Sequence, residues 1–319
     1  MGYVAGEKIL DDEYNTFVNS SSSPYGYNHF AGTGSGVYGL GQTHIATIGA
    51  GDTITASQWN TLFTGMDNIG NNTNDTLTTR SQVSAGDTIA IKAAVEADLA
   101  TLAASVAAGS PNATALTTSS ALQTVTTTSE GWDTSATQEV SVTFVDADTM
   151  RHFFNAGGKV RVVISTTQGS TNPKDQAFID LGTALGNIDI AAQSTLRSGS
   201  GESLTTNGLT NGFHDLSTSY TTLIKLTSDN SNYTSNTVEI QAKLNAAVGS
   251  STEMTIKMIA TDPADDTNYT SPNTSGVPAA INDTPRMVTT LYTLDPNTSE
   301  GLTAGHAPSS TSTVSNTTV

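Results

Sequence analysis

Between residues 50 and 110 the apolar side chains return at three- and four-residue steps. Trp59, Leu62, Phe63, Met66 and Ile69 form one stripe, and Ile91, Val95, Leu99, Leu102 and Val106 form a second on an alanine-rich scaffold. This spacing predicts two amphipathic helices joined by the polar stretch Asn71 to Ser84, an αα-hairpin over 51–110. A short repeat precedes both: Ala50-Gly51-Asp52-Thr53-Ile54 recurs as Ala85-Gly86-Asp87-Thr88-Ile89. Each copy stands where an N-cap belongs. Beyond residue 118 the period changes to two. Val140-Ser141-Val142-Thr143-Phe144 and Thr255-Ile256-Lys257-Met258-Ile259 alternate apolar with polar, the pattern of antiparallel strands with one buried face. Strands are predicted at 122–128, 139–145, 158–165, 220–227, 237–244, 253–260 and 286–293, with a short helix from Pro173 to Leu181 that stops at Gly182. The fold class that follows is mainly β with a helical hairpin. An antiparallel β-sandwich over 118–295 is preceded by an extended N-terminal arm and the αα-hairpin.

The two ends lack either period. Residues 1–50 open with a short helical pattern (Asp11 to Val18), pass through Ser20 to Ser23, and enter Gly/aromatic sequence from Pro24 to Phe30 and from Val37 to Gln42. Glycine breaks regular structure, while Tyr and Phe supply contact area at low entropy cost. The segment reads either as a loose loop or as an arm that packs on a neighbouring subunit. Tyr25, Tyr27, Phe30 and Tyr38 are its packing or interface candidates, with Trp59 and Phe63 on the first helix. Residues 296–319 hold Ser, Thr, Pro and Gly with few apolar side chains. They are expected to be flexible or held by a partner.

Composition narrows the function. Only 13% of the 319 residues are charged, and 12 Lys and Arg against 29 Asp and Glu give a net charge of -17. Soluble domains usually carry about 25% charged residues; here roughly 90 Ser and Thr take their place. So few cations argue against nucleic acid and against an anionic membrane surface as partners. No apolar run is long enough for a membrane span, and the first residues lack the pattern of a signal peptide. The absence of Cys removes disulfides, thiol nucleophiles and thiolate metal sites.

Candidate chemistry is sparse. The five histidines are scattered, none at a metal-binding i, i+4 spacing, and Gly32 to Gly36 lacks the lysine of a phosphate loop. The densest cluster runs from Met150 to Val162. There Phe153 and Phe154 precede a tight turn, Asn155-Ala156-Gly157-Gly158, that reads as a corner anchoring the sandwich, with a binding or catalytic elbow as the other reading. Asp262, Asp265, Asp266 and Asn268 place oxygen ligands close together in one loop, but without the glycine and glutamate of an EF-hand they read as a solvated acidic turn. No metal, cofactor or catalytic residue is expected.

Two stretches carry a resemblance: Ile54-Thr55-Ala56-Ser57-Gln58-Trp59-Asn60-Thr61-Leu62 after the Gly/Tyr-rich arm, and Arg151-His152-Phe153-Phe154-Asn155-Ala156-Gly157-Gly158-Lys159-Val160-Arg161. They resemble virion structural proteins of tailed bacteriophages, of marine cyanophage type, described as tail- or neck-associated. The resemblance implies a non-enzymatic part of a particle assembled in the host cytoplasm, with copies of itself and other virion proteins as partners. Tail, neck or collar, and fibre are the expected locations; a capsid decoration or head fibre is an alternative. A host-surface adhesin binding glycan through loops 198–211 and 261–278 is a second hypothesis, and a glycan-degrading enzyme with paired carboxylates a third.

Overall fold

A computed structural model describes residues 11–23, 25–31, 39–40, 42–73, 75–87, 92–107, 116–119, 121–126, 135–167, 173–230, 233–263, 286–295 and 314–318. The chain divides into two compact units that are not collinear with the sequence. One comprises Met1–Thr117, Asp148–Gly158 and Asp295–Ala307; the other Thr118–Ala147, Lys159–Leu294 and Pro308–Val319.

The first unit is helical. Helices α3 (Ala56–Thr73) and α4 (Lys92–Ala107) follow the two apolar stripes. The repeat forms a turn ahead of each helix, with Gly51 and Gly86 both at positive φ (84° and 95°), which is why glycine occupies that place twice. The cap of α3 lies further on, at Thr55. Its N–H donates to Gln58 Oε1 (2.8 Å) while its Oγ1 accepts from the Gln58 N–H (3.3 Å), a capping box that closes free donors on both residues.

The segment expected as an arm carries two helices, α1 (Asp11–Asn19) and α2 (Tyr27–Ala31). Tyr14, Phe17, Val18, Tyr27, Phe30 and Ala31 join the stripes of α3 and α4 in one core. Burial against their own chain outweighs the local breaking effect of glycine and serine. Residues 42–49 have no regular secondary structure, and backbone groups at Ile45 and Ile48 are met by helix side chains. Asn15 donates to the Ile48 carbonyl (2.9 Å) and accepts from the Ile48 N–H (2.7 Å); Asn28 makes the same pair of bonds with Ile45 (2.8 and 2.9 Å). Asn60 repeats the device on Val83 (3.0 and 2.8 Å) between α3 and α4. Part of the chain's asparagine content thus serves backbone groups that lie outside any helix or ladder.

The second unit contains two six-stranded sheets in a sandwich-like arrangement. The strands are β1 (Thr117–Thr118), β2 (Gln123–Thr126), β3 (Ser135–Thr143), β4 (Lys159–Thr167), β5 (Asn187–Ile190), β6 (Thr195–Arg197), β7 (Ser203–Asn207), β8 (Thr221–Thr227), β9 (Thr237–Leu244), β10 (Glu253–Thr261), β11 (Arg286–Asp295) and β12 (Val314–Thr318). One sheet has the order β1-β11-β4-β5-β6, with β2 also on β11; the other runs β12-β3-β10-β9-β8-β7. Register aligns buried rows across the second sheet, such as Ile224-Ile240-Met258 and Leu226-Val238-Ala260. Helix α6 (Pro173–Leu185) passes through Gly182 and packs on β4, β8 and β9. Thr289 on β11 donates to Gln138 on β3 at 2.6 Å, both buried, so one polar bond spans the two sheets inside the apolar layer. Short strands β5, β6 and β7 stand where the periodicity gave no strand.

Two further expectations change. Residues from Ala147 to Asn155 form a helix, α5, and Asp148–Gly158 belong to the helical unit and not to the sandwich. Part of the expected tail, Val314–Thr318, pairs with Ala136–Val140 on β3; backbone pairing makes a strand there without an apolar stripe.

Arg161 on β4 and Asp189 on β5 are cross-strand partners joined by two bonds, Nε to Oδ1 (2.7 Å) and the second guanidinium nitrogen to Oδ2 (2.8 Å). The bond to Asp189 and its charge hold the Arg161 guanidinium above its ordinary pKa despite burial. Bidentate pairing of this kind is stronger than a surface ion pair, so Arg161→Ala is expected to lower stability by about 1.5–3 kcal/mol in urea denaturation. Arg161→Lys is expected to recover only part, because an ammonium cannot fork.

Candidate interaction site

The aromatic candidates fall into the helical unit. Trp59 meets Tyr14 edge-on at 5.3 Å, Phe17 at 6.0 Å and Phe63 at 5.6 Å, distances at which ring pairs attract beyond their buried area. Tyr27 lies against Gly65 of α3, where an added Cβ would stand 2.7 Å from the ring. Burial pushes the phenols of Tyr14 and Tyr27 up to about 12. Phe30 is buried, and Tyr25 stacks on His29 at 4.0 Å. Burial lowers the His29 pKa. Tyr38 lies outside the described residues. Tyr27, Phe30, Trp59 and Phe63 are buried in the core of the helical unit, and Tyr25 is partly buried against it.

The corner residues are likewise internal. Phe153 and Phe154 cross edge-to-face at 5.2 Å on α5. Asn155 donates to the Gly39 carbonyl (3.2 Å), and Asn72 to that of Ala156 (3.3 Å). Gly157 has φ 92°, and a Cβ on Gly158 would stand 2.5 Å from the Phe153 carbonyl oxygen. The turn therefore ends a helix bound into the helical unit. Arg151 pairs with Asp148 at 2.6 Å.

Sequence reasoning missed Arg80. It sits in the polar linker between α3 and α4, yet its side chain is 1% exposed. It bonds Asp67 (3.0 Å) and Asp98, and its guanidinium lies 5.5 Å over the Phe63 ring. Asp98 also accepts from the Thr78 N–H (3.1 Å). One cation thus ties the linker to both helices.

A connected polar network covers the outward face of the second sheet. Tyr220 donates to Glu139 at 2.9 Å, and Lys257 bonds the same carboxylate at 2.7 Å. The Lys257 and Lys243 ammoniums stand 4.0 and 4.5 Å from the Tyr220 ring centre. Glu239 accepts from Thr222 and from Gln241, both at 2.6 Å. Burial alone would raise Glu139, but the bonds from Lys257 and Tyr220 and the charges of Lys257 and Lys243 hold it below the usual range. Burial, then the bond to Glu139 and its charge, push the Tyr220 phenol up. Three of the seven lysines sit on this face, brought together by register and not by sequence spacing.

The sandwich edge is different. All five residues of β7 (Ser-Leu-Thr-Thr-Asn) are exposed. Leu204 on β7 is 42% exposed and Leu196 on edge strand β6 is 49% exposed. Neither β7 nor β12 carries a charged residue, whereas β3, β8, β9 and β10 all do. Natural sheet edges are commonly guarded by charge.

Asp262 is buried at 2% exposure and so is not part of a solvated turn; Asp265, Asp266 and Asn268 lie outside the described residues. Among the described residues no helix is long and apolar enough to cross a membrane. No protein-family model matches the chain, and neither do curated proteins or solved structures.

Proposed function

We propose that the protein is a non-enzymatic structural component of a tailed-phage virion, in the tail, neck, collar or fibre, and that it assembles through repeated contacts between its own copies. The observation that carries this reading is the uncharged, wholly exposed edge strand β7, where Leu204 continues the apolar row of Leu226 and is 42% exposed. Such an edge offers free backbone donors and acceptors to an added strand, and apolar side chains to a facing surface. The mechanism is sheet extension: one copy's edge pairs with the next, and symmetry repeats the contact. The resemblance of segments 54–62 and 151–161 to virion proteins points the same way. A surface carrying few charges also keeps the desolvation cost of such contacts small.

Light scattering after gel filtration tests the reading. The full chain is expected to run as a closed oligomer, and Leu204→Lys to shift it at least tenfold toward monomer while its melting temperature stays within about 2 °C, since the site is exposed. A wild-type chain that stays monomeric at high concentration overturns it.

A further inference from the structure

At one end of the second sheet the inward-facing rows turn from apolar to polar. Thr227 pairs with Thr237, and Thr237 with Thr261. The next positions on these strands are Ser228, Asn236 and Asp262, and alternation puts all three on the side of Leu226, Val238 and Ala260. The Ser228 N–H donates to the Asn236 carbonyl at 2.9 Å, which continues the register. All three side chains are buried: Ser228 and Asp262 are 2% exposed and Asn236 is 0% exposed. The Asn236 side chain is anomalous. Both its Oδ1 and its Nδ2 are buried without a hydrogen-bond partner, at a cost of about 1–3 kcal/mol for each orphaned group. Ser228 Oγ accepts from the Asn230 N–H (3.1 Å) and keeps a second lone pair.

The neighbouring loops add negative field. Glu202 accepts from the Asp229 N–H at 2.6 Å. Burial pushes the Glu202 carboxyl up, against that bond, and the charges of Asp229 and Asp180 push it further. Among the described residues no three His, Asp or Glu side chains converge on one point, so any ion here needs neutral oxygen ligands beside a carboxylate.

We propose that Ser228, Asn236 and Asp262 bind one calcium ion, through Ser228 Oγ, Asn236 Oδ1 and the Asp262 carboxylate. Every donor is a hard oxygen, the class calcium takes, and calcium accepts an irregular shell completed by carbonyls and water where magnesium demands a near-octahedral one. The ion satisfies the orphaned Oδ1, and Nδ2 then donates to the second carboxylate oxygen. A single carboxylate sets a modest affinity, with a dissociation constant of about 10⁻⁴–10⁻³ M. The ion ties the ends of β8, β9 and β10 together beside a region of like charge.

The test uses the full chain stripped with EDTA, titrated calorimetrically with CaCl₂ and with MgCl₂, and melted in each at matched ionic strength. One saturable calcium per chain is expected, with a calcium-specific rise in melting temperature. Asp262→Asn is expected to weaken uptake at least tenfold. Asn236→Leu, which removes both orphaned groups at similar volume, is expected to lose calcium dependence while melting no lower than the wild type in EDTA. If the leucine variant does not fold, Asp262→Asn decides alone. A titration without saturable calcium uptake, as an ordered water alone would give, overturns the proposal. So does uptake that survives substitution.

Discussion

Arg80→Met is expected to lower stability by about 3–5 kcal/mol, the range for breaking a buried ion pair on one side. The effect comes less from the bonds lost than from what is left behind. Asp98 is 9% exposed, and without the guanidinium it retains the Thr78 N–H but has lost its cation. Asp67 is 55% exposed and can turn to water, so it contributes little to the loss. The cation also leaves the Phe63 ring, 5.5 Å away. Replacing both partners, Arg80→Met with Asp98→Leu, is expected to recover much of the loss, because an apolar pair of similar volume carries no desolvation penalty. Urea denaturation followed by helical circular dichroism reads both variants. A double variant as unstable as the single one, or a single variant within about 0.5 kcal/mol of the wild type, as ordinary surface substitutions are, would show that the linker does not depend on this pair.

What the sequence showed and hid follows from where regularity lies. The stripes of α3 and α4 and the alternation of β3, β4 and β8 to β11 are long enough for one period to dominate. Helix α2 has five residues, too few for any period, and its burial depends on residues far along the chain. Helix α5 does space Met150, Phe153 and Phe154 as a helix would, but its nine residues are short and run straight into Asn155-Ala156-Gly157-Gly158, so the segment reads as a corner. Its transfer into the helical unit is a tertiary choice with no local signature. Arg80 was hidden in the same way, a lone cation in a polar linker whose partners are supplied by helices on both sides. The Tyr220 network needs cross-strand register, which alternation predicts in kind but not in pairing. The site residues followed the same rule. Aromatics at Tyr27, Phe30, Trp59, Phe63, Phe153 and Phe154 are legible as packing residues, but which surface they pack against is set by the fold.

Trp59→Ala separates packing from assembly. Trp59 is 3% exposed and holds three rings around it, Tyr14, Phe17 and Phe63. Truncation leaves a cavity between α1 and α3 that the surrounding rings cannot fill, at a cost of about 3–5 kcal/mol. The loss is expected to be the same at every protein concentration, because each contact lies within one chain, and it is read as reduced helical signal and a lower melting temperature. Leu204→Lys has the opposite signature, since Leu204 touches solvent in the single chain: association falls while helical signal and melting temperature hold. If Trp59→Ala leaves the chain folded and only dissociates it, the tryptophan binds a neighbour after all, and the core of α1, α2, α3 and α4 is not what holds the helical unit. If Leu204→Lys melts the chain without changing its association, β7 is a structural edge and the assembling surface lies elsewhere. The two substitutions together assign one role to the buried aromatics and the other to the uncharged edge, on measurements that each can fail independently.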